Sequence, residues 1–307
     1  MRNMKTLLTS SAIALVAATA LLFSSQRANA GDAVSHTISV GGLTRNYLLF
    51  VPAGQTRKAL PAFIMMHGSG STAAQQENYS QFDAFADAHG LVVMYPNGIE
   101  KHWNDGRVIG HESTADDIGF MKAMLAEVIS QGLIDPKRVY AAGISNGGFM
   151  AQHMACVMPE ALAGIGVIAA SQPVDAACPS PRPMPVIFFQ GTADKFVPFN
   201  GGPIAPQFGN NRGTAMSNAQ AVAVWQKRNG CGAPTRTQLP DAGPLPVTIE
   251  TFACPPGRGL EDVVIQGGGH TWPGARSGFL VNMILGPVTD SINANETMWT
   301  FFEKQMR

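Results

Sequence analysis

Val139-Tyr140-Ala141-Ala142-Gly143-Ile144-Ser145-Asn146-Gly147 decides the fold, because an apolar run ends there in a Gly-x-Ser-x-Gly turn. Behind it Phe149, Met150, His153 and Met154 recur at helical spacing. A strand, a tight turn and a helix with serine at the apex make a nucleophile elbow. Glycines two before and two after the serine remove Cβ atoms where strand and helix crowd together. Ser145 can then take a strained backbone conformation with its Oγ exposed.

On either side of the elbow, apolar runs alternate with helical patterns. Residues 36–51 predict two strands around Gly41-Gly42, and 61–66 predict a buried strand followed by a Gly-rich loop and a helix near 73–88. The next strand falls at 91–95, a long loop at 96–112 and a helix at about 114–131. After the elbow come strands at 165–169 and 185–189, a helix at about 214–229, a strand pair near 246–253 and 262–266, and a closing helix near 290–305. This alternation predicts an α/β fold, a mostly parallel central sheet with helices on both faces. Ligands then bind beyond the carboxyl ends of the strands.

The first thirty residues read as an export signal: Arg2 and Lys5, an apolar stretch from Ala12 to Phe23, then Ala28-Asn29-Ala30 with cleavage after Ala30. Polar residues Thr9, Ser10, Ser11 and Thr19 interrupt the run, so no membrane span is expected. Residues 31–307 are expected to form a single catalytic domain, secreted or periplasmic. With 21 basic and 21 acidic residues overall, the chain carries no global signal for nucleic acid, and its oligomeric state stays open. The four cysteines at 156, 178, 231 and 254 favour disulfides in an oxidising compartment. Three pairings are open; Cys156 with Cys178 and Cys231 with Cys254 is favoured, because each closes a local loop. No C-x-x-C or His-rich spacing suggests a metal, and no cofactor is expected.

A serine hydroxyl is a poor nucleophile at neutral pH and needs a histidine within hydrogen-bond reach, itself oriented by a carboxylate. On this kind of sheet the chain order is serine, acid, histidine. Only His153 and His270 follow Ser145, and His153 sits on the helix behind the elbow. His270 lies in Gly267-Gly268-Gly269-His270-Thr271-Trp272-Pro273-Gly274, just after the apolar Val263-Val264-Ile265, and is the expected base. Asp194 follows the 185–189 strand and is the expected acid. Asp175, Asp241, Asp262 and Asp290 have ordinary explanations as turn, strand-start or cap residues. Two backbone donors must face the oxyanion, expected from Asn146 and from Ser69 in His67-Gly68-Ser69-Gly70, with His67 bracing that loop.

These motifs stand in order with Tyr95-Pro96-Asn97-Gly98, Trp103-Asn104-Asp105-Gly106, Asp116-Asp117-Ile118-Gly119-Phe120 and Gly191-Thr192-Ala193-Asp194-Lys195-Phe196-Val197-Pro198-Phe199. In this the chain resembles secreted polyhydroxybutyrate depolymerase-type esterases, a group that also includes feruloyl and acetyl xylan esterases. The resemblance runs from about residue 36 to 303. It implies an α/β-hydrolase with Ser145, Asp194 and His270 as triad and an ester, small or polymeric, as substrate. Segment 275–289 lacks the group's usual Gly/Pro/aromatic run, so a different pocket rim is expected.

Trp103, Phe199 and Trp272 would form an aromatic wall for an acyl or phenolic group, or else pack their own loops. Lys101, Arg107, Lys195 and Arg276 fall on loops near the expected site and would suit an anionic substrate, or else are solvated charge. The leading expectation is a serine esterase acting on hydroxyalkanoate polyester or oligomers through an acyl-enzyme. Feruloyl or acetyl xylan esterase, poly(aspartic acid) hydrolase and a non-enzymatic binding module on the same scaffold are the alternatives.

Overall fold

The computed structural model describes residues 31–54, 59–110, 113–209, 211–240, 243–276 and 278–306, so the export segment read over 1–30, and Asp241, lie outside the described residues. In chain order the elements are β1 (Val34–Val40), β2 (Leu43–Phe50), β3 (Leu60–Met66), α1 (Ala73–Ser80), α2 (Phe82–His89), β4 (Val92–Pro96), α3 (Asp117–Ser130), β5 (Ile134–Ile144) and α4 (Asn146–Val157). They continue with β6 (Gly164–Ile168), β7 (Val186–Gly191), the short β8 (Gly202–Pro203) and β9 (Thr214–Ala215), α5 (Asn218–Asn229), β10 (Pro234–Gln238), β11 (Val247–Phe252), β12 (Leu260–Ile265), α6 (Phe279–Leu285) and α7 (Ala294–Gln305).

One ten-stranded sheet has the order β1-β2-β4-β3-β5-β6-β7-β12-β11-β10. Its centre, from β4 through β12, is parallel, and an antiparallel pair closes each side. This is an α/β-hydrolase sheet. Strands β3, β4, β6 and β7 are buried along their whole length, as strands covered on both faces must be. Edge strand β1 instead alternates half-buried with exposed residues.

Alternate residues of each strand feed two apolar layers. Ala62, Ile64 and Met66 of β3 pack with Phe120 and Met124 of α3, Phe149 and Met154 of α4 and Trp225 of α5. Phe63 and Met65 pack with Phe82 of α2 and Met298, Trp299 and Phe302 of α7.

The helix expected near 73–88 is two helices, broken at Gln81, whose left-handed φ of 52° ends α1 and starts α2. The helix expected from 214 begins at Asn218 instead, where Ser217 and Gln220 form a capping box and 214–215 belong to β9. Strand β10 and helix α6 were not anticipated. Disulfides join Cys156 to Cys178 and Cys231 to Cys254, with Cα separations of 4.7 and 4.1 Å. The first links the end of α4 to the loop after β6, and the second spans the β10–β11 hairpin.

Candidate active site

The turn between β5 and α4 places Ser145 at φ 57° and ψ −123°, a conformation that costs a non-glycine residue about 1–3 kcal/mol. Its neighbours have no room for side chains. A Cβ on Gly143 would lie 2.5 Å from the Gly147 carbonyl carbon and 2.8 Å from Met66 O. One on Gly147 would lie 2.7 Å from His67 O. The Ser145 N–H donates to Ile168 O of β6 at 2.9 Å, pinning the turn to the next strand.

Two further loops from strand ends meet there. After β7, Asp194 is buried, and its Oδ1 accepts from the Phe196 and Val197 amides at 2.8 and 2.9 Å. After β12, the loop carrying His270 is held by Ala193 N–H donating to Gly268 O at 2.9 Å and by Gly269 N–H donating to Pro287 O at 2.8 Å. These close approaches need glycine: a Cβ on Gly191 would sit 2.5 Å from Gly269 O, and one on Gly269 2.6 Å from Gly286 Cα. The outcome is a buried imidazole whose Nδ1 lies 2.8 Å from Asp194 Oδ2. Phe196 stacks on the His270 ring with centroids 4.8 Å apart.

Ser145 and His270 both line a cavity of about 520 Å3, which also includes Ser69, Asn146, His102, Phe196, Phe208 and Arg212. That volume lies within the range of small-molecule sites, about 300–1,000 Å3. As the first residue of α4, Asn146 has an N–H with no partner inside the helix, at the positive end of the helix dipole. Its side chain is clamped: Oδ1 accepts from Trp103 N at 2.7 Å and Nδ2 donates to Asp105 Oδ2 at 2.6 Å. Asp105 is in turn paired with the buried guanidinium of Arg107, whose Nη2 donates to Asp105 Oδ2 at 2.7 Å.

The Ser69 loop is braced by His67. Gly98 N–H donates to His67 Nε2 at 3.0 Å, which leaves Nδ1 protonated to donate to Gly68 O at 2.8 Å. Burial pushes this imidazole down to about 4, so it stays neutral near pH 7. Ser69 Oγ meets His102 Nδ1 at 2.9 Å, and Arg212 Nη1 lies 3.5 Å from the same oxygen.

The aromatic wall expected from Trp103, Phe199 and Trp272 does not line the cavity. Trp103 is fully buried, its ring beside His67 and its Nε1 donating to His67 O at 2.9 Å. Trp272 is also buried, bonded through Nε1 to Asn295 Oδ1 at 3.0 Å. Both are internal struts of the loops that carry them. Phe196 and Phe208 hold the aromatic positions instead. Of the expected cations, Lys101, Lys195 and Arg276 are exposed and off the lining, whereas Arg107 lies on it with its charge met by Asp105.

His153 is half-buried on α4, outside the cavity lining, its pKa lowered by burial. Asp262 is buried within β12 and bonded to Asn218, and Asp175 Oδ2 accepts from Ile109 N at 2.7 Å. Residues not singled out from sequence but present on the lining are Gln76, Tyr79, His102, Phe196, Phe208 and Arg212. Only Phe196 had a sequence signal, two residues after the candidate acid.

Among the described residues no cluster of His, Cys, Asp or Glu is arranged to hold a metal ion, and no helix is long and apolar enough to cross a membrane.

Residues 45–178 match the family model described as esterase PHB depolymerase. The NocK protein of Nocardia uniformis subsp. tsuyamanensis, which carries the name of an esterase, is 31% identical over 252 residues, covering 77% of this chain and 73% of that protein. Feruloyl esterase B of Piromyces equi is 31% identical over 236 residues, 74% of this chain and 42% of that protein. Poly(3-hydroxybutyrate) depolymerase of Ralstonia pickettii is 32% identical over 168 residues, 49% of this chain and 33% of that protein. The chain thus spans most of the first relative and less than half of the other two. Among solved structures, acetyl xylan esterase from Aspergillus awamori shares the fold with a TM-score of 0.59 at 14% identity, covering 88% of this chain and 99% of that one. The chain therefore belongs to the esterase PHB depolymerase family of carboxylic-ester hydrolases.

Proposed function

We propose that this protein hydrolyses esters of hydroxyalkanoate oligomers or polyester through an acyl-enzyme on Ser145. The observation that carries the mechanism is the 2.8 Å contact between His270 Nδ1 and Asp194 Oδ2, made where Ser145 and His270 share one cavity. In this reading Ser145 Oγ attacks the ester carbonyl while its proton passes to His270 Nε2. The leaving alcohol then takes that proton, and water attacks the acyl-enzyme by the reverse route. Asp194 holds the imidazole in the tautomer that can accept and stabilises it once charged. The Ser69 and Asn146 amides would receive the oxyanion, a role whose loss typically costs about 100- to 1,000-fold in rate.

The rim supports an apolar, uncharged substrate. Val281 and Leu285 of α6 line the cavity, while Phe279, Leu280, Met283 and Ile284 of the same helix face solvent. Exposed apolar surface beside a site marks a place where an apolar partner lies. Three of the four cations expected at the mouth are off the lining and the fourth, Arg107, is paired with Asp105; Arg212 lies on the lining, which keeps poly(aspartic acid) as the weaker reading. Phe196 and Phe208 favour a second reading, an aromatic acyl group such as feruloyl. The two disulfides favour folding in an oxidising compartment, in keeping with an export signal ending at Ala30 and one catalytic domain over 31–307.

A panel of 3-hydroxybutyrate oligomers, a feruloyl ester, an acetylated sugar and polyaspartate tests the assignment. The expected order puts the 3-hydroxybutyrate oligomers first in kcat/KM and leaves polyaspartate intact. A clear preference for the feruloyl or acetyl ester would transfer the assignment to that class.

A further inference from the structure

Helix α1 forms one wall of the catalytic cavity through Gln75, Gln76 and Tyr79. The helix is fastened at both ends. The Ala73 N–H donates to Asn97 Oδ1 at 2.8 Å, and Ser80 O accepts from Asn295 Nδ2 at 2.8 Å. Tyr79 is held by the Trp272 N–H, which donates to its hydroxyl at 3.1 Å. Gln75 Oε1 accepts from Ser71 Oγ and Thr72 Oγ1, each at 3.3 Å, at the start of the helix.

Gln76 stands apart from this pattern. It is 2% exposed, and its Nε2 is buried without a hydrogen-bond partner among the described residues. An amide donor left unpaired inside a protein costs about 1–3 kcal/mol, so buried amides are almost always satisfied. Because α1 is tied down at each end, the side chain is not released to solvent by a small shift of the helix. An amide donor without a protein partner on the wall of a binding cavity is an expected way to recognise a ligand oxygen. A ligand lacking that oxygen gains nothing from the amide and buries it further.

We propose that Gln76 is a specificity-determining residue whose Nε2 donates to a second oxygen of the substrate, one beyond the scissile ester group. The chemical class that fits is an ester whose acyl chain carries a hydroxyl or a further ester carbonyl a few bonds from the reacting carbon. The inference rests on the reading of Ser145 as the nucleophile in this cavity, and deepens it by saying how one acyl chain is told from another.

The test uses three 4-nitrophenyl esters with one leaving group: butyrate, 3-hydroxybutyrate and 3-acetoxybutyrate. Wild-type protein is expected to prefer the two oxygenated acyl chains by about tenfold in kcat/KM, the ratio that one neutral hydrogen bond of about 1.4 kcal/mol supplies. In Gln76→Leu and Gln76→Met the ratio of kcat/KM between the oxygenated esters and the butyrate ester should fall to within about twofold of unity. Tm in the absence of substrate should stay level or rise, because an unpaired buried donor has been removed. Equal kcat/KM for all three esters in the wild type would overturn the proposal without needing any variant to fold. So would a preference that survives in either substitution, or a fall in Tm with the preference intact, which would make Gln76 a packing residue. Loss of all ester hydrolysis in the wild type would instead overturn the nucleophile reading, so the two failures are distinguishable.

Discussion

Replacing Asp262 by asparagine should change how the stability of this protein depends on pH. Asp262 lies within β12, with 3% of its surface exposed, and its Oδ2 accepts from Asn218 Nδ2 at 2.6 Å. Asp262 Oδ1 and Asn218 Oδ1 both lack partners among the described residues, two acceptors for which a proton on the carboxyl would supply a donor. Burial pushes this carboxyl up to about 7; Glu250 adds to the rise and the Asn218 amide opposes it. In the unfolded chain the group titrates near 3.9, so between roughly pH 4 and pH 7 the folded state holds a proton that the unfolded state has lost. The stability this group contributes is complete below about pH 4 and is lost as the pH climbs through that window. At about 1.4 kcal/mol per pH unit, the loss amounts to roughly 4 kcal/mol over the whole window and roughly 3 kcal/mol between pH 5 and pH 8.

Asparagine has the shape of the protonated acid and does not titrate. Urea unfolding of wild type and Asp262→Asn at pH 5 and pH 8, with disulfides intact, isolates the effect because every other titrating group cancels in the difference. The variant should gain roughly 3 kcal/mol on the wild type between those two pH values. A difference that changes by less than about 1 kcal/mol would mean that Asp262 is ionised or solvated in the fold.

The same substitution serves as the control for the candidate acid. Asp194→Asn should fold and lose about 1,000- to 10,000-fold in kcat, because an amide holds the wrong imidazole tautomer, while Asp262→Asn keeps near-normal turnover. Equal losses in the two would remove Asp194 from its assigned role. Gly143→Ala should give little soluble protein or a stability loss of at least about 3 kcal/mol, since its Cβ would meet backbone atoms of Gly147 and Met66 at 2.5 and 2.8 Å. Wild-type melting behaviour would show that the elbow is looser than described. Reducing the disulfides, which close separations of 22 and 23 residues, should lower Tm through a loss of roughly 3 kcal/mol each. Peptide mapping that finds four free thiols in protein made in an oxidising compartment would refute the pairing.

The parts of the site that were legible in sequence are those where chemistry constrains residue type and spacing together. Ser145 was legible because only glycine fits at 143 and 147, and His270 and Asp194 because each follows an apolar strand run in the order that a parallel sheet brings together. Burial of loop side chains was not legible. Trp103 and Trp272 sit on loops at the site, and nothing in the local sequence says that their rings turn inward to hold His67 and Asn295. The sharp turn held by Asp194 Oδ1 brings Phe196 rather than Phe199 onto His270, a reversal that residue type alone does not encode. Helix α6 was invisible because the seven residues between Gly278 and Gly286, apolar except for Asn282, show no amphipathic period. The break at Gln81 was hidden too, since glutamine is a good helix former and its residue type gives no sign of the left-handed φ of 52°.

The proposed mechanism puts the acyl group on Ser145. Purified protein mixed with a 4-nitrophenyl ester, quenched in acid within milliseconds and digested, should yield by mass spectrometry the peptide containing Ser145 with one acyl group added. The adduct should be absent from Ser145→Ala protein, which keeps its fold. An acyl group on another residue, or steady turnover by Ser145→Ala at near wild-type rate, would contradict the account.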